Sequence, residues 1–114
     1  MDLTIKTLIA RLRAFRDNRD WAQFHTPKDL ALSVSVEAAE LLELFQWRRE
    51  DAELDGALKQ KLESEVADVF SYLLLLCDST GIDLVDATNK KIDLNEERFP
   101  VSASRGVAKP GGED

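Results

Sequence analysis

Two acidic pairs, Glu37-Ala-Ala-Glu40 and Glu65-Val-Ala-Asp68, constrain this chain more than any other feature. Each lies inside an apolar stretch: Leu30 to Val36 leads into Leu41-Leu42 around the first, and Val66 to Cys77 surrounds the second. Residues three apart share one helix face, so each pair aims two carboxylates in one direction. Four carboxylates gathered away from water are costly unless cations compensate them. An all-oxygen set of this kind suits a hard divalent ion, and such ions commonly serve phosphate chemistry.

The pattern around the pairs is helical. Leu8, Ile9, Leu12 and Phe15 form a stripe of period 3.6 that predicts an amphipathic helix over residues 3–18. Arg19-Asp-Trp-Ala-Gln-Phe-His25 breaks the stripe and reads as an aromatic-rich connector. Thr26-Pro27-Lys28-Asp29 then supplies a capping residue, a proline suited to the first helical position and an acid in the first turn. The alternation Leu32-Ser-Val-Ser-Val36 is also compatible with a short strand. The capped start and the good helix formers that follow favour one helix reaching about Trp47 instead.

Arg48 to Gly56 is charged and reads as a turn or short helix. Leu58, Leu62, Val66, Val69, Leu73 and Leu76 mark a long third helix, with Gly81 placed as its C-terminal stop. Asp83 suits the cap of a fourth helix running to about Arg98 and ended by Pro100. The expectation is therefore an all-α, four-helix bundle over residues 1–100, with a flexible tail over 101–114 rich in Gly, Ser and Pro. Leu73-Leu-Leu-Leu76 is apolar all round its helix, which points to burial in a subunit interface or to a central position within one protomer.

Composition narrows the setting. At 114 residues with 44% hydrophobic content, the chain has the size and core of one domain. A single cysteine, Cys77, leaves no intramolecular disulfide framework and fits a reducing compartment. No basic segment leads into an apolar one at the N-terminus, and Val69 to Cys77 is too short to span a bilayer. A cytoplasmic protein with no membrane association is expected. The net charge of −7 argues against binding a nucleic acid polymer, which relies on clustered Lys and Arg.

The acidic pairs have blander readings, as solvated surface charges or a structural metal site. A di-iron bundle would also place acids on helices but uses Glu-x-x-His on two of them. The one histidine, His25, falls in a connector. Oxygen-only ligation favours Mg2+, with Mn2+ as an alternative. Thr88, Lys91, Asn95 and Arg98 share one face of the fourth helix, which is either simply solvated or offers charge and directed hydrogen bonds to phosphate. Trp21, Trp47 and Tyr72 offer ring faces on which a base can stack, while Phe24 reads as part of the core. Cys77 has no neighbouring histidine that would activate its thiol.

Four segments together resemble the all-α nucleoside triphosphate pyrophosphohydrolases of the MazG-like group, close to the dCTP pyrophosphatase branch. They are Arg19-Asp-Trp-Ala-Gln-Phe-His-Thr-Pro-Lys28, Glu37-Ala-Ala-Glu-Leu-Leu-Glu-Leu-Phe-Gln-Trp47, Glu65-Val-Ala-Asp-Val-Phe-Ser-Tyr72 and Lys91-Ile-Asp-Leu-Asn-Glu-Glu-Arg-Phe-Pro100. The resemblance implies a helical protomer assembling as a homodimer or a dimer-of-dimers homotetramer. It implies Mg2+ held by Glu37, Glu40, Glu65 and Asp68, which are also the expected catalytic residues. It implies that Lys91, Asn95 and Arg98 contact a triphosphate, and that Trp21, His25, Trp47 and Tyr72 border the base. The expected reaction converts a nucleoside triphosphate, dCTP or a modified pyrimidine nucleotide, to the monophosphate and pyrophosphate. Either Glu37 or Glu40 would serve as the base. The competing expectation is a helical binding module that keeps the fold without chemistry. One departure lies in the tail, where Arg105-Gly-Val-Ala-Lys109 runs into Pro110-Gly-Gly instead of a Lys-Tyr pair.

Overall fold

A computed structural model describes residues 3–108. Helix α1 spans Leu3–Asp17, α2 Pro27–Glu43, α3 Gly56–Thr80, α4 Leu84–Arg98 and α5 Val101–Ser104, with a single 3-10 turn at Ala22–Phe24. No strand occurs among the described residues, so the all-α expectation holds, and Leu32 to Val36 is helical. No helix among them is long and apolar enough to cross a membrane. The chain forms two compact units, one ending at Ile82 and holding α1–α3, the other beginning at Asp83 and holding α4 and α5.

Local chemistry sets the helix ends. The Thr26 hydroxyl accepts from the Asp29 N–H at 3.1 Å, with Pro27 in the first helical position. Asp55 caps α3 through the Leu58 N–H at 2.8 Å, and Asp83 caps α4 through the Asp86 N–H at 3.1 Å. At the other end of α3, Gly81 adopts φ of 72°, while the Gly81 and Ile82 N–H groups both donate to the Cys77 carbonyl. That left-handed cap closes the helix where glycine meets no Cβ penalty.

Helix α2 ends sooner than its sequence predicts. From Leu44 to Arg48 the backbone tightens into bonds three residues apart, Leu44 to Leu41, Phe45 to Leu42 and Arg48 to Phe45. The ladder of α2 therefore stops at Glu43, and Trp47 stands on a turn. Within the segment expected to be a flexible tail, Val101–Ser104 form a helical turn, α5. Residues 109–114 of that segment lie outside the described residues.

In the first unit, α2 packs along α3 and α1 packs on α3 to a smaller extent. Ile9, Leu30, Leu58, Leu74, Leu75 and Cys77 form the buried core. The Arg13 guanidinium forks onto Asp78, its Nε reaching Oδ2 at 2.9 Å and its Nη2 bonding Oδ1, and this ties α1 to α3. Leu74 and Leu75 are buried, and Leu73 and Leu76 are half-buried, so the protomer itself covers most of the four-leucine run. The uncovered apolar surface lies elsewhere, with Leu32 and Leu42 on α2 57% and 67% exposed.

A Cβ at Gly81 would meet no atom within 4 Å, so any penalty there comes from the backbone alone. Gly81→Ala is expected to lower stability by about 1–2 kcal/mol in chemical denaturation without changing helix content. An unchanged midpoint would show that the α3 end tolerates another cap.

Candidate functional site

The two acidic pairs meet where α2 packs along α3. Glu37, Glu65 and Asp68 each offer a carboxylate oxygen, and these oxygens lie within 4.8 Å of one another. Glu37 and Glu65 are half-buried and Asp68 is exposed. Glu40 comes within hydrogen-bonding reach of both Glu37 and Glu65. All four predicted acids thus belong to one constellation, with Glu37, Glu65 and Asp68 as its tightest part.

The electrostatics are those of a site short of positive charge. The Glu37 carboxyl is pushed up to about 7, chiefly by sharing a hydrogen bond with Glu40, then by burial and by the charges of Glu40, Asp68 and Glu65. Glu65 is also raised, first by burial and then by the charges of Glu40 and Asp68. One oxygen of Glu37 and one of Glu65 are enclosed with no hydrogen-bond donor among the described residues. Ionised carboxylates only accept, so such neighbours are reconciled by a proton or by a cation. The donor set is all oxygen, as a hard divalent ion requires, and the enclosed oxygens without donors suit that role.

Asp68 also lines a cavity of about 260 Å3 between α1, the connector and α3, together with Trp21, His25, Tyr72 and Arg16. The connector is held tightly enough to place its aromatics. Asp20 takes a left-handed turn at φ of 55°, and the Trp21 N–H donates to the Arg16 carbonyl at 3.0 Å. The Trp21 ring meets Phe15 edge-on at 5.7 Å, and the Arg19 guanidinium covers the Phe15 ring at 3.8 Å. Within the cavity lining, Trp21 and Tyr72 supply ring surface, and the enclosed Nδ1 of His25 has no hydrogen-bond partner among the described residues. Three of the four residues expected to border a base therefore share one hollow with one of the acids.

One expected base-bordering residue stands apart from it. Trp47 is 90% exposed on the turn after α2 and does not line this cavity. Its position follows from the early end of α2, which carries it past the helix that was expected to hold it. Lys91, Asn95 and Arg98 lie on α4 in the other compact unit. Lys91 is exposed, Asn95 is half-buried with its enclosed Oδ1 lacking a donor, and the Arg98 guanidinium stands 5.1 Å over the Phe99 ring. Sequence reasoning missed Arg16, Phe15 and Ser71 in the cavity lining. Arg16 was detectable in principle, because it follows Leu12 by four residues and so falls on the inward face of α1.

A carboxyl raised on folding favours the protonated folded state. Its contribution to stability is fully present below its ordinary value of 4.5 and is lost as pH rises through about 7. In EDTA, the melting temperature should therefore fall from pH 5 to pH 8, and Glu37→Gln should flatten that fall. Added Mg2+ should raise the melting temperature more at pH 8 than at pH 5, because a ligating carboxylate must be ionised. A flat profile in the unaltered protein, with no response to Mg2+, would exclude the acids as a cation site.

The sequence model of the MazG-like family matches residues 32–113. The dCTP pyrophosphatase 1 of Mus musculus is 42% identical over 105 residues, covering 88% of this chain and 62% of that protein. The dCTP pyrophosphatase 1 of Homo sapiens is 37% identical over 106 residues, covering 89% and 62% respectively. The chain thus spans 62% of the length of these curated relatives. A crystal structure of a pyrophosphatase from Archaeoglobus fulgidus superposes with a TM-score of 0.80 at 45% identity, covering 88% of this chain and 95% of that one. On the extent of these matches, the chain belongs to the MazG-like family.

Proposed function

We propose that the protein is a nucleoside triphosphate pyrophosphohydrolase that converts dCTP, or a modified cytosine nucleotide, to the monophosphate and pyrophosphate. The observation that carries this reading is the cluster of Glu37, Glu65 and Asp68, joined through Asp68 to an aromatic cavity. The names of the relatives from mouse, human and Archaeoglobus fulgidus support it. A binding module without chemistry has no use for acids held together with enclosed oxygens that lack donors.

In this reading Glu37, Glu65 and Asp68 hold Mg2+, with Glu40 beside them as a fourth acid. The ion would neutralise charge that builds on the phosphate oxygens of the transition state. The protein's own groups do the rest. Trp21 and Tyr72 stack on the base, which orients the nucleotide so that its phosphates reach the acidic end of the cavity. Glu37 or Glu40 accepts a proton from the attacking water. The water oxygen bonds the α-phosphorus, the bridging P–O bond breaks, and pyrophosphate leaves. Lys91, Asn95 and Arg98 are assigned to the triphosphate, as the family resemblance implies.

The protein is further proposed to work as a homodimer or homotetramer in the cytoplasm. Support comes from a 490 Å3 hollow between α1 and α3, lined by Leu8, Leu12, Phe15, Phe70 and Leu74 among others. The exposed Leu32, Val36 and Leu42 of α2 add to that uncovered apolar surface. Trp47, which its own protomer leaves bare, would then border the base in a neighbouring subunit.

Incubation of the purified protein with dCTP and Mg2+ should yield equimolar dCMP and pyrophosphate, and none in EDTA. Orthophosphate and dCDP would instead indicate attack at the γ-phosphate, and no turnover across a nucleotide panel would favour a binding module. Glu40→Gln and Asp68→Asn should each lower kcat by about 100-fold or more while leaving the circular dichroism spectrum unchanged. Near-normal activity in both would remove these acids from the mechanism. Light scattering should give two or four times the mass of the 12.8 kDa chain.

A further inference from the structure

The cavity that Asp68 shares with the aromatics holds one permanent cation in its lining, Arg16. Its side chain is only 18% exposed, an enclosed position for a guanidinium. Nε is committed to Asp17 at 2.8 Å, and among the described residues the two terminal nitrogens have no hydrogen-bond partner. The four N–H groups of those nitrogens are therefore left to bond a molecule in the cavity that Arg16 lines.

The position of Arg16 along the cavity distinguishes a base contact from a phosphate contact. Asp68 and Leu75 both line the hollow, and seven residues of helix separate them by about 10 Å. Asp68, with the other acids, marks the phosphate end. Arg16 also helps to hold the Asp78 carboxyl below its usual range, after the larger effect of Arg13, and Asp78 lies beyond Leu75 on α3. The guanidinium thus belongs to the end remote from the acids, and a base stacked on Trp21 or Tyr72 with its phosphates toward Asp68 would present its edge there.

We infer that Arg16 is a specificity-determining residue that selects cytosine by donating two parallel N–H bonds to N3 and O2 of the base. The inference rests on the reading that this cavity receives the base of a nucleotide. Cytosine presents N3 and O2 as adjacent acceptors, matching the guanidinium fork. Thymine and uracil carry a hydrogen on N3, so the same fork faces a donor and loses one bond. Stacking is nearly indifferent to which pyrimidine is bound, whereas an enclosed donor opposed by another donor is penalised. At about 260 Å3 the cavity is smaller than whole-ligand pockets usually are, as suits one pyrimidine ring with the sugar and phosphates outside it.

The test compares kcat/KM for dCTP and dTTP, and inhibition by dCMP and dTMP, in the unaltered protein, Arg16→Lys and Arg16→Met. Arg16→Lys keeps the charge and aliphatic stem but removes the paired donors, and circular dichroism checks that both variants remain helical. The unaltered protein should favour dCTP over dTTP by about tenfold or more, with dCMP the stronger inhibitor. In both variants the two ratios should fall to within about threefold of unity, chiefly through loss of dCTP and dCMP affinity. An equal loss for both bases would make Arg16 a phosphate or structural residue and overturn the inference. Unchanged ratios, or no preference for cytosine in the unaltered protein, would overturn it as well. Those outcomes leave the pyrophosphohydrolase reading standing; an unaltered protein that neither hydrolyses nor binds any nucleotide defeats that reading and this inference together.

Discussion

Carboxylates that meet without a donor between them are the constraint on which the rest of this protein turns. Glu37 and Glu40 come from α2, Glu65 and Asp68 from α3, and the packing of those helices forces the four into one place. Left ionised, they repel, and the Glu37 carboxyl is raised by its hydrogen bond with Glu40, by burial and by the neighbouring charges together. The helices stay together because Leu30, Leu58 and Leu74 are buried in the same unit, with Leu30 and Leu74 each 1% exposed. Apolar burial of this kind is the favourable term large enough to hold like charges in proximity.

A second constraint fixes the aromatic wall beside the acids. The connector between α1 and α2 has only the short 3-10 turn at Ala22–Phe24 to define its backbone, yet it carries Trp21 and His25 to the cavity. It is held by a stack in which Arg19 lies over Phe15 and Phe15 meets Trp21 edge-on. Gln23 adds bonds to the Asp20 carbonyl and carboxylate, both at 3.0 Å. The left-handed backbone of Asp20 suits aspartate, one of the few side chains enriched in that conformation. A segment that reads as a break in periodicity is thus an ordered support for the cavity.

What could be read from the sequence was what local chemistry decides. The caps at Thr26, Asp83 and Gly81 and the acidic faces of α2 and α3 follow from residue type and spacing within a few positions. Less legible was anything set by packing between distant segments. The stop of α2 at Glu43 rests on a tightening of the backbone that no glycine or proline announces. Spacing puts Arg16 on the inward face of α1, but only the packing of α3 and the connector around it makes the cavity that it lines. Leu73 to Leu76 points to a subunit interface or a central position within one protomer, and the protomer itself buries two of the four and half-buries the others, while Leu32 and Leu42 of α2 stay exposed. For Lys91, Asn95 and Arg98 the sequence placed the residues on one helix face, and α4 confirms that helix.

The same contacts that make the acids a candidate cation site work against the fold. Protonating Glu37 relieves the repulsion with Glu40, Glu65 and Asp68, and it also removes a ligand from the cation. Acid conditions therefore favour a folded protein with an incomplete site, and neutral conditions a complete site in a less stable protein. A bound cation resolves the opposition because it binds the folded state and compensates the charges that destabilise it. The acidic pairs would be a liability in a chain that never met such an ion. Set between apolar helices, they make sense as a site whose stability is completed by what it binds.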